Sequence, residues 1–472
     1  MRKTFLGVKL KTLREQRVMT QAALAQALEL SPSYLNQLEN NQRPLTVPVL
    51  LRLQSTLGVD LQFFSEDDDA RMTAQLQEIV AETAVPGGVP DAELRTLATQ
   101  MPALSQLLIR LHQRAQGAEE RVMNLAAILG ERGGEEFPGV QPHEEVRDFF
   151  YAQNNHMAGL DECAEAHYEQ LHAKATPNAD LPDLLQSYLA DRHGVTLQTL
   201  GSDQPLLRRY EPGQRRLQVT DSATPGQRGF QLATQLAYLE ADDLIGTTAD
   251  TGNFTSVEAK ALARIGLASY FAGALVLPYG RFLAAAQLAR YDIDLLAQQF
   301  GVSFETVCHR LSTLQRPQAR GIPFFFVRVD RAGNISKRQS ATDFHFSRSG
   351  GTCPLWNVYE AFAQPGKVLT QVASMPDGRN YLWIARSETR QTGGYGSPAR
   401  SFAIGLGCDI RHASQLVYAK GLDLTTPESA TPIGPGCKLC ERQGCAQRAF
   451  PALGRRLSID EGERLKEPYA AT

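Results

Sequence analysis

The sequence predicts a mainly α-helical protein of several domains, with an α+β region towards its C-terminal end. Three observations carry this prediction. The chain has 472 residues, more than one compact core holds. Apolar residues recur at helical spacings through most of the first 300 residues. After residue 320 the pattern changes to short aromatic and β-branched runs separated by glycine-rich turns, which is typical of strands.

Residues 1–65 predict a compact unit of four short helices with a fifth turn at its end. Thr20 is a suitable N-cap for the second helix, and Ser31 followed by Pro32 is a suitable start for the third. Pro44 and Pro48 separate the third helix from the fourth. Residues 1–60 contain eight Lys or Arg and four Asp or Glu, so this part is basic within a chain of net charge -3. Contact with phosphate therefore belongs here.

The second and third predicted helices, joined by a tight turn, predict a helix-turn-helix unit that binds double-stranded DNA. Asn and Gln side chains on an outward helix face can bond to adenine, and polar groups at helix ends can bond to phosphate. The predicted base-reading residues are Ser33, Tyr34, Asn36 and Gln37, and the predicted phosphate contacts are Gln21, Asn41 and Arg43. The alternative is a small helical interaction module that binds no DNA.

The motifs of this region resemble those of Cro/C1-type repressors, the XRE family. The resemblance rests on residues 10–14, 20–25, 34–40 and 57–59, in order along the chain. It implies a four- to five-helix DNA-binding domain.

Residues 66–142 predict a helical linker with a dimerisation helix. Apolar residues alternate at spacings of four and three, which is the a/d pattern of a coiled coil. They are Leu97, Met101, Leu104, Leu108, Leu111, Ala115, Ala118, Val122 and Leu125. Pro102 interrupts this pattern, so we expect the regular helix to start there. The alternative is an amphipathic helix packed on its own chain, so the segment that makes a homodimer stays open.

Residues 143–315 predict a mainly helical domain whose sequence resembles metallopeptidases of the ImmA/IrrE type. The resemblance rests on residues 230–239, 267–278 and 291–310. Such chemistry needs two His at i and i+4 on one helix, a Glu and a third ligand. Thr234, Gln235, Tyr238 and Leu267 stand at those positions, so we expect no zinc hydrolysis and no enzyme activity. A repressor-linked zinc peptidase is the alternative function.

A peptidase-like domain without its metal ligands is suited to binding a small molecule. The candidate lining residues are Tyr238 and Tyr270, with Arg209, Tyr210 and Arg281 as candidate anion contacts. A tyrosine packed in the core is the simpler interpretation of each aromatic position taken alone.

Residues 316–472 predict an α+β domain with a cysteine cluster. Cys437, Cys440 and Cys445 have spacings typical of a metal or iron–sulfur site. Cys353 is the predicted fourth ligand and Cys408 the second choice, whereas Cys163 and Cys308 lie in helical patterns typical of core thiols. Four thiolates suit structural zinc or an iron–sulfur cluster, and spacing does not decide between them.

Segments of this last region resemble short-chain fatty-acyl regulators of the actinobacterial type, which control propionate and acetate catabolism. The resemblance rests on residues 349–358, 405–407 and 436–451. It implies an acyl-CoA effector and a [4Fe–4S] cluster. The predicted function is therefore a dimeric, sequence-specific transcriptional regulator of short-chain fatty acid metabolism. A regulator whose C-terminal site holds only structural zinc is the remaining alternative.

The sequence has no run of eighteen apolar residues and no apolar signal region at its beginning. We therefore predict a cytoplasmic protein without a membrane partner. Seven cysteines, an odd number, argue against a disulfide framework and for reduced thiols or metal ligands.

Overall fold

The computed structural model describes most of the chain. The described residues are 7–452 except 18, 41, 58–65, 84–88, 113, 116–141, 174–178, 202–205, 342–351, 392–394, 398 and 439, together with 457, 459, 462–463, 466–467 and 469. The chain divides into two compact units, one of residues 1–134, 343–345 and 449–472, the other of residues 135–342 and 346–448.

The first unit is helical. Its helices are α1 (Gly7–Gln16), α2 (Gln21–Ala27), α3 (Pro32–Glu39), α4 (Val47–Leu57), α5 (Glu66–Thr83), α6 (Asp91–Gln100) and α7 (residues 102–112). The predicted caps are confirmed, since the Thr20 hydroxyl accepts a bond from Ala23 N at 3.1 Å and Ser31 accepts one from Tyr34 N at 3.1 Å. The predicted turn at residues 61–64 lies outside the described residues.

Helices α5, α6 and α7 share a small core of Leu76, Leu94, Ala98 and Ile109. Helix α7 buries Ile109 there but leaves a stripe of leucines on its other side in water. Leu104, Leu107, Leu108 and Leu111 are 43%, 51%, 38% and 50% exposed. The face of α7 that carries Ile109 therefore packs on its own chain, whereas the residues of the predicted a/d stripe on α7, Leu104, Leu108 and Leu111, are exposed. The rest of the predicted stripe, Ala118 to Leu125, lies outside the described residues.

The second unit begins with a helical part. Its helices are α8 (Pro142–Ala152), α9 (Ala158–His172), α10 (Leu181–His193), α11 (Pro225–Glu240), α12 (Asp242–Asp250), α13 (Val257–Val276), α14 (Tyr279–Leu288), α15 (Ile293–Phe300), α16 (Phe304–Leu311) and α17 (Asn357–Glu360). Helix α13 is long and apolar enough to cross a membrane, but 56% of its most apolar window is buried inside the protein, as in a core helix.

Two sheets complete this unit. The first has the order β1-β3-β2, with β1 parallel and β2 antiparallel to β3; the strands are β1 (Thr196–Leu200), β2 (Arg208–Glu211) and β3 (Arg216–Thr220). The second has the order β5-β4-β8-β7-β6-β9. Its strands are β4 (Phe325–Val329), β5 (Ile335–Ser340), β6 (Leu369–Ser374), β7 (Asn380–Gln391), β8 (Ala399–Asp409) and β9 (Thr431–Pro432).

Two glycines of β8 are required by close packing. A Cβ at Gly405 would lie 2.7 Å from Val358 Cγ1, and one at Gly407 would lie 2.5 Å from the indole of Trp383. The two indoles of Trp356 and Trp383 meet edge to face here, with ring centres 4.8 Å apart. Gly405 therefore leaves the space that Val358 fills, and Gly407 leaves the space that the Trp383 indole fills.

The helical part and the large sheet share one hydrophobic core. It includes Leu236 and Phe271 from the helices and Phe326, Leu382 and Leu406 from the sheet. The described residues form an α+β protein, so the prediction of a mainly α fold was too narrow. Strands β1 and β5 are short and rich in polar residues, so they lack the aromatic and β-branched runs from which the sequence predicts strands.

The N-cap of α13 is one residue later than the sequence pattern indicates. Residues 255–258 have the order of a capping box that begins at Thr255. The structure shows Ser256 as the cap, since its side chain accepts the bond from Ala259 N at 3.0 Å.

Candidate functional sites

The candidate DNA-reading face is the outward side of α3 together with the first residue of α2. Gln21 Nε2 donates to Asn36 Oδ1 at 3.2 Å, and Asn40 Nδ2 donates to the same oxygen at 2.9 Å. Ser33, Asn36 and Asn40 are exposed. Amide groups from α2 and α3 thus lie side by side, and those on the exposed side of α3 are of the type that bonds to base edges in the major groove.

A buried ion pair fixes α3 against α1 beneath this face. Arg14 Nε donates to Glu39 Oε1 at 2.7 Å, and Gln21 Nε2 donates to Glu39 Oε2 at 3.0 Å. Glu39 is only 5% exposed. The hydrogen bond that Arg14 donates to Glu39 raises the pKa of the Arg14 guanidinium. Gln21 is therefore bonded to both the buried acid and the exposed Asn36, so its side chain positions the reading helix.

The other predicted DNA contacts lie at the two ends of α3. The Arg43 guanidinium lies over the Tyr34 ring, 5.6 Å from its centre. The backbone carbonyl of Gln37 accepts bonds from the amides of Gln42 and Arg43, which closes the turn after the helix. Asn41 lies outside the described residues. These positions remain predictions of DNA contact.

Helix α11 carries the positions at which a peptidase of this type would bind zinc. The Thr234 hydroxyl donates to Phe230 O of its own helix at 2.7 Å. Gln235 Oε1 accepts a bond from Arg208, whose guanidinium lies 5.4 Å from the centre of the Tyr238 ring. Leu267 is fully buried in the core. The Arg208 guanidinium, which comes from β2, therefore lies beside Gln235 and Tyr238.

Arg208 was missed in the sequence, where the neighbouring Arg209 is the predicted anion contact. Side chains alternate along a strand, and in β2 Arg208 and Tyr210 lie inward while Arg209 is exposed. Burial lowers the pKa of Arg208, and its guanidinium donates to the neutral amide of Gln235. Had the bounds of β2 been known, the alternation of inward and outward side chains along the strand would have pointed to Arg208 instead of Arg209.

Two adjoining cavities lie between the helical part and the β4–β5 hairpin. Their volumes are about 310 and 610 Å³, and both are lined by Ser269, Tyr270, His309 and Lys337. These volumes lie within the range of small-molecule sites. The smaller cavity has apolar lining from Phe230, Val276 and Val302, and charged lining that includes Glu305 and Arg328.

The larger cavity has a basic lining. Arg147, Lys337 and Arg338 line it, together with His143. Arg147 Nη2 is buried and makes no hydrogen bond within the described part of the chain, although Glu144 Oε1 lies 3.6 Å away. Lys337 is bonded to Glu305 at 2.9 Å. The two cavities together present apolar and cationic side chains, which fits a ligand that has both an apolar group and an anionic group.

A buried polar network forms part of the cavity wall. Arg310 Nη2 donates to Asp161 Oδ1 at 2.5 Å, and the Tyr270 hydroxyl donates to Asp161 Oδ2 at 2.8 Å. Burial acts to raise the pKa of Asp161, but the charge of Arg310 and the bonds to this carboxylate outweigh it and lower the pKa to about 2. Burial lowers the pKa of His309 to about 3, so its imidazole is neutral.

Of the five residues predicted as ligand contacts, Tyr270 lines these cavities. Its ring is available to a ligand, but its hydroxyl is bonded to Asp161 and accepts from Met157 N at 3.1 Å. Tyr238 is under Arg208, and Arg281 is exposed over the Tyr168 ring at 5.0 Å. The five residues are therefore not brought together at one site.

The candidate metal site is a small cavity lined by four cysteines. Cys353, Cys437, Cys440 and Cys445 all border it. The amides of Leu355 and Gly434 donate to the Cys353 sulfur, and the amide of Arg442 donates to the Cys440 sulfur. Backbone N–H groups aimed at thiolates are a feature of structural metal and iron–sulfur sites.

An arginine holds the loop that carries three of these cysteines. The Arg448 guanidinium donates to Cys437 O and Cys440 O, each at 3.0 Å, and to Arg442 O. Arg442 in turn donates to Ser374 O at 2.6 Å, which ties the loop to the end of β6. We call residues 434–448 the cysteine loop. Its backbone is thus fixed by side chains that bond to carbonyl groups and not to sulfur.

The second-choice ligand, Cys408, lies elsewhere. It is buried on β8 opposite Leu382, and burial raises its pKa. Burial also raises the pKa of the Cys353 and Cys440 thiols. Among the described residues, no group of three or more His, Cys, Asp or Glu is arranged to hold a metal ion. The four thiols therefore border one cavity, but their sulfur atoms are not arranged around a common point as metal ligands would be.

Three family models match successive parts of the chain. Residues 10–64 match a helix-turn-helix model, residues 184–312 an IrrE N-terminal-like domain, and residues 313–469 the C-terminal domain of short-chain fatty acyl coenzyme A regulators. Two full-length relatives come from Mycobacterium tuberculosis. The transcriptional regulator RamB is 49% identical over 99% of both chains, and PrpR is 48% identical over 100% of this chain and 96% of its own.

The chain belongs to the short-chain fatty acyl coenzyme A regulator family. A further family member, the propionyl-CoA carboxylase regulator of Cereibacter sphaeroides, is 44% identical over 99% of this chain and 98% of its own. The solved structure of a Mycobacterium tuberculosis transcriptional regulator is 53% identical, with a TM-score of 0.67, and covers 70% of this chain and 100% of its own. The chain described in this structure is thus a helix-turn-helix transcriptional regulator, as the sequence predicts, and not a peptidase.

Proposed function

We propose that this regulator acts in the cytoplasm, binds its DNA operator as a homodimer and responds to a short-chain acyl-CoA. The observation that carries the proposal is the pair of adjoining cavities, apolar at Phe230 and Val276 and basic at Arg147 and Lys337. Arg147 Nη2 makes no hydrogen bond among the described residues and lies 3.6 Å from Glu144 Oε1, so it can donate to a further acceptor. Phosphate oxygens of the CoA moiety are suitable acceptors. The family name and the relative named for propionyl-CoA carboxylase support the same ligand class.

Thermal unfolding of the full chain with CoA thioesters of increasing acyl length tests this ligand class. A ligand at about 100 times its Kd stabilises the folded state by ~2.7 kcal/mol. We expect a rise in Tm with a short acyl-CoA and none with propionate, because propionate lacks the phosphates. Arg147→Gln should remove most of the rise, whereas the exposed Arg281→Gln should leave it. No rise with any thioester would refute the proposal.

The homodimer is supported by the leucine stripe of α7. Leu104, Leu107, Leu108 and Leu111 recur at spacings of three and four and are exposed, while Ile109 is buried on the other side. A second copy of the same stripe would cover it as in a coiled coil. We expect Leu104→Glu with Leu108→Glu to convert a dimer to a monomer in light scattering. An unchanged dimer would place the interface elsewhere.

The DNA-reading face is tested by substitutions in an operator-binding assay. Asn36→Ala should weaken specific binding about 10- to 100-fold, since one good base contact contributes ~1–3 kcal/mol. Arg43→Ala should weaken binding to all sequences alike, because a phosphate contact carries no sequence information. Specific binding that survives Asn36→Ala with Gln37→Ala would show that another surface reads the bases.

The cysteine loop supports a [4Fe–4S] cluster with structural zinc as the alternative. The four thiols bordering one cavity and the N–H groups aimed at two sulfurs fit either group. Cys353, Cys437, Cys440 and Cys445 would hold it, and a cluster would supply one-electron redox chemistry. Iron, sulfide and zinc are measured in anaerobically purified protein. Iron with sulfide and absorbance near roughly 400 nm supports the cluster, and stoichiometric zinc in a colourless protein supports the alternative.

A further inference from the structure

Three helices meet at Glu240, the last residue of α11, away from the cysteine loop. His167 from α9 lies with Nε2 2.7 Å from Glu240 Oε2, and His193 from α10 lies with Nε2 2.7 Å from Oε1. Arg192 Nε is 2.8 Å from the same carboxylate, and the Tyr188 hydroxyl donates to it at 3.0 Å. The cluster therefore contains a half-buried carboxylate surrounded by donors.

The hydrogen bonds of His167 require its charged form. Nε2 bonds to the Glu240 carboxylate, and Nδ1 lies 2.8 Å from the backbone carbonyl of Cys163. Both partners are acceptors, so both ring nitrogens carry a proton and donate. The Cys163 thiol and the bonds to Cys163 O and Glu240 raise the pKa of His167 to about 9 against the effect of burial. His167 is an imidazolium at neutral pH.

This imidazolium lies beside a thiol that has no other assigned role. Cys163 Sγ is 3.7 Å from His167 Nδ1, and Cys163 is only partly buried. The imidazolium is therefore placed to stabilise negative charge on the sulfur during a nucleophilic attack. The order of groups, a thiol, an imidazole and a carboxylate that orients the imidazole, is that of an activated nucleophile. Cys163 packs against the hydrophobic core, as predicted, and its side chain is only partly buried.

We propose that Cys163 is a modification site at which a small two-electron oxidant, represented by hydrogen peroxide, forms a sulfenate. The thiolate sulfur attacks one peroxide oxygen, an S–O bond forms and the O–O bond breaks. Hydroxide leaves and takes the proton carried by the transferred oxygen, so that the products are the sulfenate and water. The His167 imidazolium beside the sulfur stabilises the negative charge. Two-electron oxidation of the sulfur balances reduction of the peroxide.

The test follows sulfenate formation at each cysteine of the full chain at pH 7, with dimedone trapping and peptide mass spectrometry. An unactivated thiol is only a few per cent thiolate at this pH. His167→Gln removes the charge and should slow adduct formation at Cys163 at least about tenfold. His172→Gln is the matched control, because His172 lies on the same helix, bonds to Tyr168 O at 2.9 Å and stacks on the Tyr168 ring. It should leave the rate unchanged.

Glu240→Gln provides a second variant should His167→Gln fail to fold. The amide keeps the shape of Glu240 but no longer supplies the negative charge that holds His167 protonated, so the Cys163 rate should again fall. Circular dichroism of each variant checks the fold. The proposal is overturned if wild-type Cys163 yields no adduct, or if a folded His167→Gln or Glu240→Gln protein reacts at the wild-type rate.

Discussion

Helix α11 and the cysteine loop both carry positions for metal ligands, and an arginine lies at each, yet the two arginines bind different groups. Arg208 bonds to the side chain of Gln235, at a position that a peptidase would use for catalysis, and lies over Tyr238. Arg448 bonds to backbone carbonyls of the cysteine loop. The first arginine lies beside the positions at which a peptidase would bind its ion, and the second holds the backbone of the loop that carries the thiols. The acceptors of an arginine near a candidate metal site therefore show what that arginine does there.

The largest expected effect concerns Cys353, the proposed fourth metal ligand beside the cysteine loop. Cys353→Ser should abolish metal binding, because Cys353 borders the same cavity as Cys437, Cys440 and Cys445. Cys408→Ser should leave the metal content unchanged, because Cys408 is buried on β8. Metal analysis of both purified variants is the measurement. The opposite pattern, loss with Cys408→Ser and retention with Cys353→Ser, would make Cys408 the ligand.

The middle region, which lacks the zinc ligands, is held together by a buried ion pair. Asp161→Asn should lower the free energy of unfolding by ~3–5 kcal/mol, since it leaves the Arg310 charge buried without its partner. Glu165→Gln is the control, because the pair of Glu165 and Arg316 is about a quarter exposed and should contribute less than ~1 kcal/mol. Denaturant titrations measure both. Equal losses would show that burial does not set the strength of these pairs.

Restoring the lost ligands tests whether Arg208 excludes an ion from α11. Thr234→His with Tyr238→His should bind zinc poorly, because the guanidinium lies at the same place. Adding Arg208→Ala should tighten zinc binding by roughly tenfold or more, which corresponds to ~1.4 kcal/mol. Competition with a chelating dye gives the affinities. If Arg208→Ala changes nothing in this background, the absence of ligands alone explains the loss of the metal.

The smallest expected effect is a pH dependence of stability. Because the folded protein raises the pKa of His167 to about 9, its charged form stabilises the fold fully below the ordinary pKa of about 6.5. That contribution is lost as the pH rises through about 9. The difference in Tm between wild type and His167→Gln should therefore shrink from about pH 6 to about pH 10. A difference that grows with pH would indicate a metal at Glu240, since metals bind deprotonated imidazole.

Local signals in the sequence were sufficient for much of the fold. The caps at Thr20 and Ser31, the helices around them and the strands near Phe325 and Tyr381 follow from a few consecutive residues. The loss of zinc ligands from α11 was also readable, because the helical spacing fixes which residues share a face.

Features that depend on residues far apart in sequence were not predictable. The cavity lining combines α8, α13 and the β4–β5 hairpin, and neither Arg147 nor Lys337 has a local pattern that marks it. Arg208 was missed because the register of a four-residue strand decides which of two adjacent arginines lies inward. The cluster at Glu240 was missed because its members come from three helices.

The common core of the helical part and the large sheet has a consequence for how recombination can rearrange the gene of this protein. Ser312 donates to Gln339 at 2.7 Å, and the Tyr418 hydroxyl accepts from Ile293 N at 2.9 Å. A recombination break between residues 312 and 313, where the two matched regions meet, would separate such partners and expose the core of both halves. We therefore expect residues 143–448 to be exchanged between genes as a block.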